Sequence, residues 1–172
     1  MRKDSAGATF VEAMTVLAIS AAMAAGAFKL YSDAMDGKTQ LELATQMAEI
    51  RDAMNNAWRG RPWGNESESA RALKLGKMGV RLDTPWNTPV RILTTNGIPG
   101  VKKLIKPSFG IELSGLSAKQ CIFAAGTFSK DADCLAVNSD VSSASDCKVG
   151  VKAEAACGAS ENNRVVMWYR KE

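Results

Sequence analysis

Apolar residues are arranged in two different ways along the first third of this chain. From Ala8 to Phe28 the sequence ATFVEAMTVLAISAAMAAGAF runs for twenty-one residues with a single charge, Glu12. Beyond Phe28, LYSDAMDGKTQLELATQMAEIRDAMNNAW keeps a helical period on one face only. Leu43, Met47, Ile50, Met54, Ala57 and Trp58 recur at three- and four-residue spacing, and Asp33, Asp36, Glu42, Glu49 and Asp52 lie off that stripe. Together the segments predict one helix of about fifty residues, on the order of 75 Å at 1.5 Å per residue. That is too long for a compact domain of this size, so the apolar first half is expected to protrude and the amphipathic second half to pack on the rest. Gly37 is the expected soft spot, because glycine inside a helix costs about 1 kcal/mol relative to alanine. Gly60 and Pro62 in WRGRPWGN end the helix.

The remainder reads as a mixed head. Asn65 with Glu68 three residues on has the form of a capping box, starting a short surface helix in ESESARALKLGKMG that closes by Gly79. PVRILTT and VKKLI flank Asn96 and Gly97, a hairpin signal, with Pro99 placing the second strand at an edge. In FGIELSGL, Phe109, Ile111 and Leu113 alternate with Gly110, Glu112 and Ser114, the period of a half-buried strand. Ser117 and Gln120 form a second capping box, so SAKQCIFAAG is a helix closing near Gly126, and VGVKAEAACG is a shorter helix carrying Cys157 and stopped by Gly158. The continuous apolar run from Val165 to Tyr169 fits a strand covered on both faces, inside the sheet rather than at its margin. The fold class is α+β: a long N-terminal helix packed by its second half on an antiparallel sheet.

Candidate chemistry centres on Glu12 and the cysteines. A carboxylate at membrane depth costs roughly 2.5 to 3.5 kcal/mol on insertion scales, so Glu12 needs a partner or must snorkel to the headgroups from a helix end. Eight of the twenty-one apolar-run residues are Ala and one is Gly, which lets neighbouring helices approach closely and suits the stretch to packing against copies of itself. Cys121, Cys134, Cys147 and Cys157 are widely spaced, with no CxxC pair, and the chain has no His. A four-cysteine zinc site draws on close pairs, so no metal is expected, and two disulfides in an oxidising compartment are. Three connectivities are open.

Gly7 lies immediately before the apolar run, and Glu12 is the fifth residue after it. This arrangement, a short basic leader (MRKDSAG) and a Glu at the fifth position of a hydrophobic helix, resembles the type IV prepilin leader. The resemblance implies a prepilin peptidase that cuts after Gly7 and methylates the new amino terminus at Ala8. It further implies a subunit held in the bacterial inner membrane as precursor, its head in the periplasm, then built by a pilus assembly platform into an extracellular helical filament of its own copies. Glu12 would there neutralise the Ala8 amine of a neighbour, an opposite-charge pair cheaper to bury than either group alone.

The head narrows the resemblance. FGIELSGLSAKQC and AACGASENNRVVMWYRKE are similar to the matching regions of type IVb pilins such as toxin-coregulated pilin and bundlin. In those pilins two corresponding cysteines form the disulfide that closes the C-terminal region; carried over, the bond is Cys121 to Cys157. Cys134 with Cys147 is then an inner bridge added to the family's pattern. Its loss is expected to be the milder one, because it constrains only a polar loop holding Asp131, Asp133, Asp140 and Asp146. The seven-residue leader is shorter than the type IVb group often has, and Ala8 stands where Met, Leu or Phe is commoner. The implied organisation is a leader at 1–7, a helix at 8–58 and a globular head at 59–172.

Minor pilins and type II secretion pseudopilins share this leader and helix and are the alternative within the family, the two-cysteine C-terminal region favouring a pilin over a major pseudopilin. Outside it, the same stretch serves as an ordinary signal peptide with Ala25, Gly26 and Ala27 as its small-residue site, leaving a soluble periplasmic protein from Phe28. That alternative, like a plain membrane anchor, gives Gly7 and Glu12 no role.

Composition excludes other classes. At 172 residues and 46% apolar content the chain holds one core-forming head beyond its helix. The leader carries Arg2, Lys3 and Asp4, net +1, so its removal takes the charge from +4 to +3. That is too modest for a nucleic-acid partner, and no long basic run or aromatic-basic alternation supports one. Without His, GxSxG, HExxH or a phosphate-cradling Gly-rich loop, no catalytic residue and no cofactor is expected, and the carboxylates near Asp131 lack EF-hand spacing.

Overall fold

The computed structural model describes residues 6–60, 66–95, 108–140, 147 and 151–170. Helix α1, Ala6–Ala57, runs 52 residues and passes through Gly26 and Gly37 without a break. The chain divides into two units between Thr39 and Gln40, inside this helix. The second unit holds everything from Gln40 onward, including the amphipathic part of α1. Gly60, at φ +66°, turns the chain away after the last helical residues.

Helix α2, Glu68–Lys77, starts from Ser67 rather than Asn65. Ser67 is extended, and its side chain accepts from the Ala70 amide at 3.2 Å, the third position of the helix; Asn65 lies outside the described residues. The helix is not merely a surface element, because Leu75 is fully buried and Arg71 is buried with its guanidinium donating to the Glu66 carbonyl.

Four antiparallel strands follow: β1 Val90–Thr95, β2 Ser108–Leu116, β3 Cys134–Val137 and β4 Asn163–Arg170, in the order β1-β2-β4-β3. β1 pairs with β2, from Val90↔Leu113 to Thr95↔Ser108; the expected Asn96-Gly97 turn and VKKLI strand lie outside the described residues. β4 sits between β2 and β3, where its continuous apolar run belongs. β3 falls within the stretch expected to be a polar loop. Its four residues, CLAV, are too few to show a period and are bounded by Asp133 and Asn138, yet all four are buried.

The sheet is covered on both faces. Along β4, Val165, Met167 and Tyr169 join the main core with Leu43, Met47, Ile50, Met54 and Trp58 of α1. Val166 and Trp168 point the other way, into a smaller cluster with Cys134 and Ala136 against which Leu93 and Cys147 pack. β2 therefore departs from the half-buried expectation: residues 108–113 are all buried. Gly110 lies under the Trp168 indole, where a Cβ would come within 3.1 Å of ring atoms. Glu112 is covered by arginines. The alternation was read as solvent on the polar face, and a long aromatic and two long cations from neighbouring strands take that place.

Helix α3, Ala118–Phe128, opens with the Ser117–Gln120 capping box, both reciprocal bonds present at 3.3 and 2.9 Å. It continues past Gly126 to Phe128, and the glycine there leaves room for the Glu154 carboxylate, which a Cβ would meet at 2.5 Å. Helix α4, Val151–Ala155, is a single turn, and Cys157 lies two residues beyond it. Cys121 of α3 is bonded to Cys157, and Cys134 of β3 to Cys147.

The inner bond thus anchors a strand rather than a polar loop, and Cys134 is fully buried. Closed loops of 36 and 13 residues stabilise by nearly 4 and about 3 kcal/mol in the chain-entropy model. Urea melts of the full chain in detergent are expected to show losses of that order for Cys121→Ala/Cys157→Ala and for Cys134→Ala/Cys147→Ala. An inner-pair variant within about 0.5 kcal/mol of the parent, the range of neutral surface changes, would refute the anchoring role given to β3.

Candidate assembly helix and closed C-terminal region

In the first unit the sequence places apolar side chains around the whole circumference of α1. Phe10, Val11, Met14, Val16, Leu17, Ile19, Met23, Phe28, Leu30 and Tyr31 are each between 55% and 74% exposed. A helix apolar all round belongs in a membrane or in a core made with other chains, and this one is long and apolar enough to cross a membrane. Small residues sit four apart at Ala18 and Ala22, Ala21 and Ala25, and Ala22 and Gly26, the spacing that lets two apolar helices approach backbone to backbone. Gly7 and Ala8 lie in the first turn of the helix, and Glu12 follows Ala8 by one turn on the same side. Thr15, three residues after Glu12, donates its hydroxyl proton to the Val11 carbonyl at 2.8 Å. Its only donor is therefore engaged within the helix.

The second unit gathers the cysteines and the C-terminal strand. The β4 approach is organised by Asn163, which is fully buried. Its Nδ2 lies 3.2, 3.1 and 2.6 Å from the carbonyls of Leu116, Gly158 and Ser160, and its Oδ1 accepts from the Gly158 amide and from Asn138 Nδ2, both at 2.8 Å. One side chain thereby satisfies the backbone of the turn between Cys157 and β4 and ties it to the end of β2. Asn138, at φ +54°, returns the link by accepting from the Arg164 amide at 2.8 Å.

A row of alternating charges crosses the smaller-cluster face of the sheet. Glu68 of α2 takes a bidentate pair from Arg91 at 2.8 Å for each bond, Arg91 reaches Glu112 at 3.3 Å, Glu112 forms an ion pair with Arg164, Oε2 to Nε 3.1 Å, and Arg164 meets Asp140 at 2.5 Å. The Arg91 hydrogen bond holds the Glu68 carboxyl below its usual range, and the same bond raises Arg91. Glu112, with a side chain only 6% exposed, is the costly member and has a guanidinium on either side. Sequence reading assigned Glu112 to a solvated face; its placement opposite Arg91 is a matter of strand register. Asn163 was also missed, and the Asn-rich turn before the last strand is the one signal that marked it.

On the main-core face, Tyr169 packs against Phe109 at 5.6 Å, with the Arg51 guanidinium 5.3 Å from its ring centre. Burial pushes its hydroxyl up to about 12, with Asp131 and Asp133 adding to the shift and Arg51 opposing it. Among the described residues no three His, Cys, Asp or Glu side chains are grouped as metal ligands. The arrangement presents a helix built to pack and a closed, cross-linked head.

No family model and no curated protein matches the sequence. Several solved structures share its fold, and two of them are type IV pilins. TcpA, a type IV pilin from Vibrio cholerae El Tor biotype, is 14% identical, covering 77% of this chain and 99% of its own, with a TM-score of 0.54. The type IVb pilin from Salmonella typhi is 12% identical, covering 76% of this chain and 98% of its own, with a TM-score of 0.57. The fold is that of a type IV pilin.

The raised Tyr169 gives a pH expectation. A phenol neutral in the fold up to about 12, against about 10 in the unfolded chain, lends no pH dependence below 10. Between those values the unfolded chain has lost its proton and the fold has not, so stability falls as pH rises from about 10 to about 12. Spectrophotometric titration should resolve one late-ionising tyrosine whose delay disappears in urea, and a Tyr169→Phe variant should lose that part of the alkaline decline. A single tyrosine transition near 10 in the folded protein would contradict the buried hydroxyl.

Proposed function

We propose that this chain is a structural subunit of a type IV pilus of the IVb kind, inserted in the inner membrane as a precursor and assembled into an extracellular filament through its N-terminal helix. The observation that carries this reading is the exposed, apolar run from Ala8 to Phe28 with one carboxylate, on a chain whose fold is that of a pilin. A helix with that surface is stable only in lipid or against other apolar helices, and its small residues favour close helix packing. In this proposal residues 1–7 are the leader, 8–58 the membrane and filament-core helix, and 59–172 the head. A prepilin peptidase cuts after Gly7 and methylates Ala8. Glu12 is one turn from that new amino terminus, and the assembly platform brings it against the Ala8 amine of the next copy, where both charges are buried together.

Intact mass and N-terminal sequencing of protein recovered from membranes or sheared fibres are expected to give a chain starting at methylated Ala8. Replacing Gly7 with a bulky residue should leave the precursor in the membrane. A soluble chain starting at Phe28 would overturn the assignment in favour of a signal peptide.

Removing one partner of a buried ion pair costs about 3 to 5 kcal/mol, because the other charge is left unpaired. Glu12→Ala is therefore expected to insert and fold normally, since it makes the helix more apolar, yet to lose fibres by a hundredfold or more when it is the only subunit present. Electron microscopy of fibres alongside membrane fractionation checks both parts, and a normal fibre yield would remove Glu12 from assembly.

A further inference from the structure

The two disulfides lie on opposite faces of the sheet. Cys121 and Cys157 belong to the main core, whereas Cys134 points into the Trp168 cluster, where Cys147 joins it. β3 alternates accordingly, with Leu135 and Val137 on the main-core side and Cys134 and Ala136 on the other. The bonds are also nested: the 13-residue pair Cys134–Cys147 falls within the 36-residue pair Cys121–Cys157. In the reduced chain Cys121 meets Cys134 before Cys157, because Cys134 is as near to it in sequence as Cys147 is to Cys134, whereas Cys157 is 36 residues away. With closure following the three-halves power of loop length, that short loop forms about fivefold more readily than the native long one. A Cys121–Cys134 bond holds Cα atoms within about 7 Å, and the fold needs these two sulfurs on opposite sides of a sheet.

We propose that folding of this chain passes through the non-native Cys121–Cys134 bond and depends on a thiol–disulfide isomerase, a partner that presents a reactive thiolate. A disulfide-bearing oxidant makes the first bonds, accepting two electrons and two protons for each. Where these are Cys121–Cys134 and Cys147–Cys157, the isomerase thiolate attacks Sγ of Cys134 and Cys121 leaves as a thiolate. Cys121 attacks Sγ of Cys157 and displaces Cys147, which then attacks the mixed disulfide at Cys134 and returns the isomerase thiolate. Two S–S bonds break, two form, and no electrons are consumed. The product is retained because Cys121 and Cys134 are fully buried once the sheet has closed.

The test is refolding of the full chain in detergent from the reduced, urea-unfolded state, with diamide as oxidant, with and without purified disulfide isomerase and a trace of reduced glutathione. Free thiols are alkylated at timed points and the bonds mapped by peptide mass spectrometry. Without isomerase, early species should carry Cys121–Cys134 about fivefold over Cys121–Cys157, and isomerase should deplete them and raise the native yield several-fold. Cys134→Ser/Cys147→Ser should reach Cys121–Cys157 with no isomerase. Should that variant fail to fold, Cys147→Ser/Cys157→Ser, compared in urea with Cys134→Ser/Cys147→Ser, still reports the competition and should close its bond about fivefold faster. Native bonds formed at equal rates with and without isomerase, or equal closure rates for the two variants in urea, would overturn the proposal.

Discussion

The position of β4 in the middle of the sheet is the constraint on which the head depends. This strand, which follows β1, β2 and β3 in sequence, pairs with β2 on one side and β3 on the other, so both neighbours lack backbone partners until it is in place. Its side chains then alternate into two separate apolar clusters, and losing β4 would open both. Everything around it serves that insertion. Asn163 holds the turn that delivers the strand, Arg170 donates its amide to Asp133 at 2.8 Å, and each disulfide secures one face. Pairing of this kind is non-local and slow to find, which gives the cross-links their value.

The two units treat charge and apolar surface in opposite ways. The head buries most of its described large apolar residues and places Glu112, the one buried carboxylate among the described residues, between two arginines. The first unit leaves its apolar residues exposed, and Glu12 is the one charge in the run from Ala8 to Phe28. Both follow from one rule, that a charge in an apolar setting must be neutralised by a near partner. Glu112 finds its partners within the chain. Glu12, in the reading given above, finds its partner on another copy, so the incomplete monomer is the complete filament subunit.

The legible parts of the fold are those with local causes. Helix α1 follows from long apolar and amphipathic periods, α3 from a capping box written within four residues, and β4 from a five-residue apolar run. The illegible parts were decided by neighbours distant in sequence. β3 is too short to carry a period, and its burial comes from lying against β4. Gly110 and Glu112 looked like the wet side of β2 because nothing local marks Trp168 or Arg164 as their cover. The cap of α2 is Ser67 rather than Asn65, since several polar residues there offer similar local chemistry and it is the Ser67 hydroxyl that accepts from the Ala70 amide.

The sequence by itself determined the long helix, the single charge in its apolar stretch five residues after Gly7, and four thiols spaced for disulfides rather than for metal, because each is a property of adjacent residues and their intrinsic chemistry. Only the tertiary structure decided which strand pairs with β1, that each side of the sheet carries a buried apolar cluster, and that Cys121 and Cys134 face away from each other. Those are matters of register and of which face a side chain takes. A one-residue shift in a strand reverses every face, and no local pattern in four isolated residues can specify that choice.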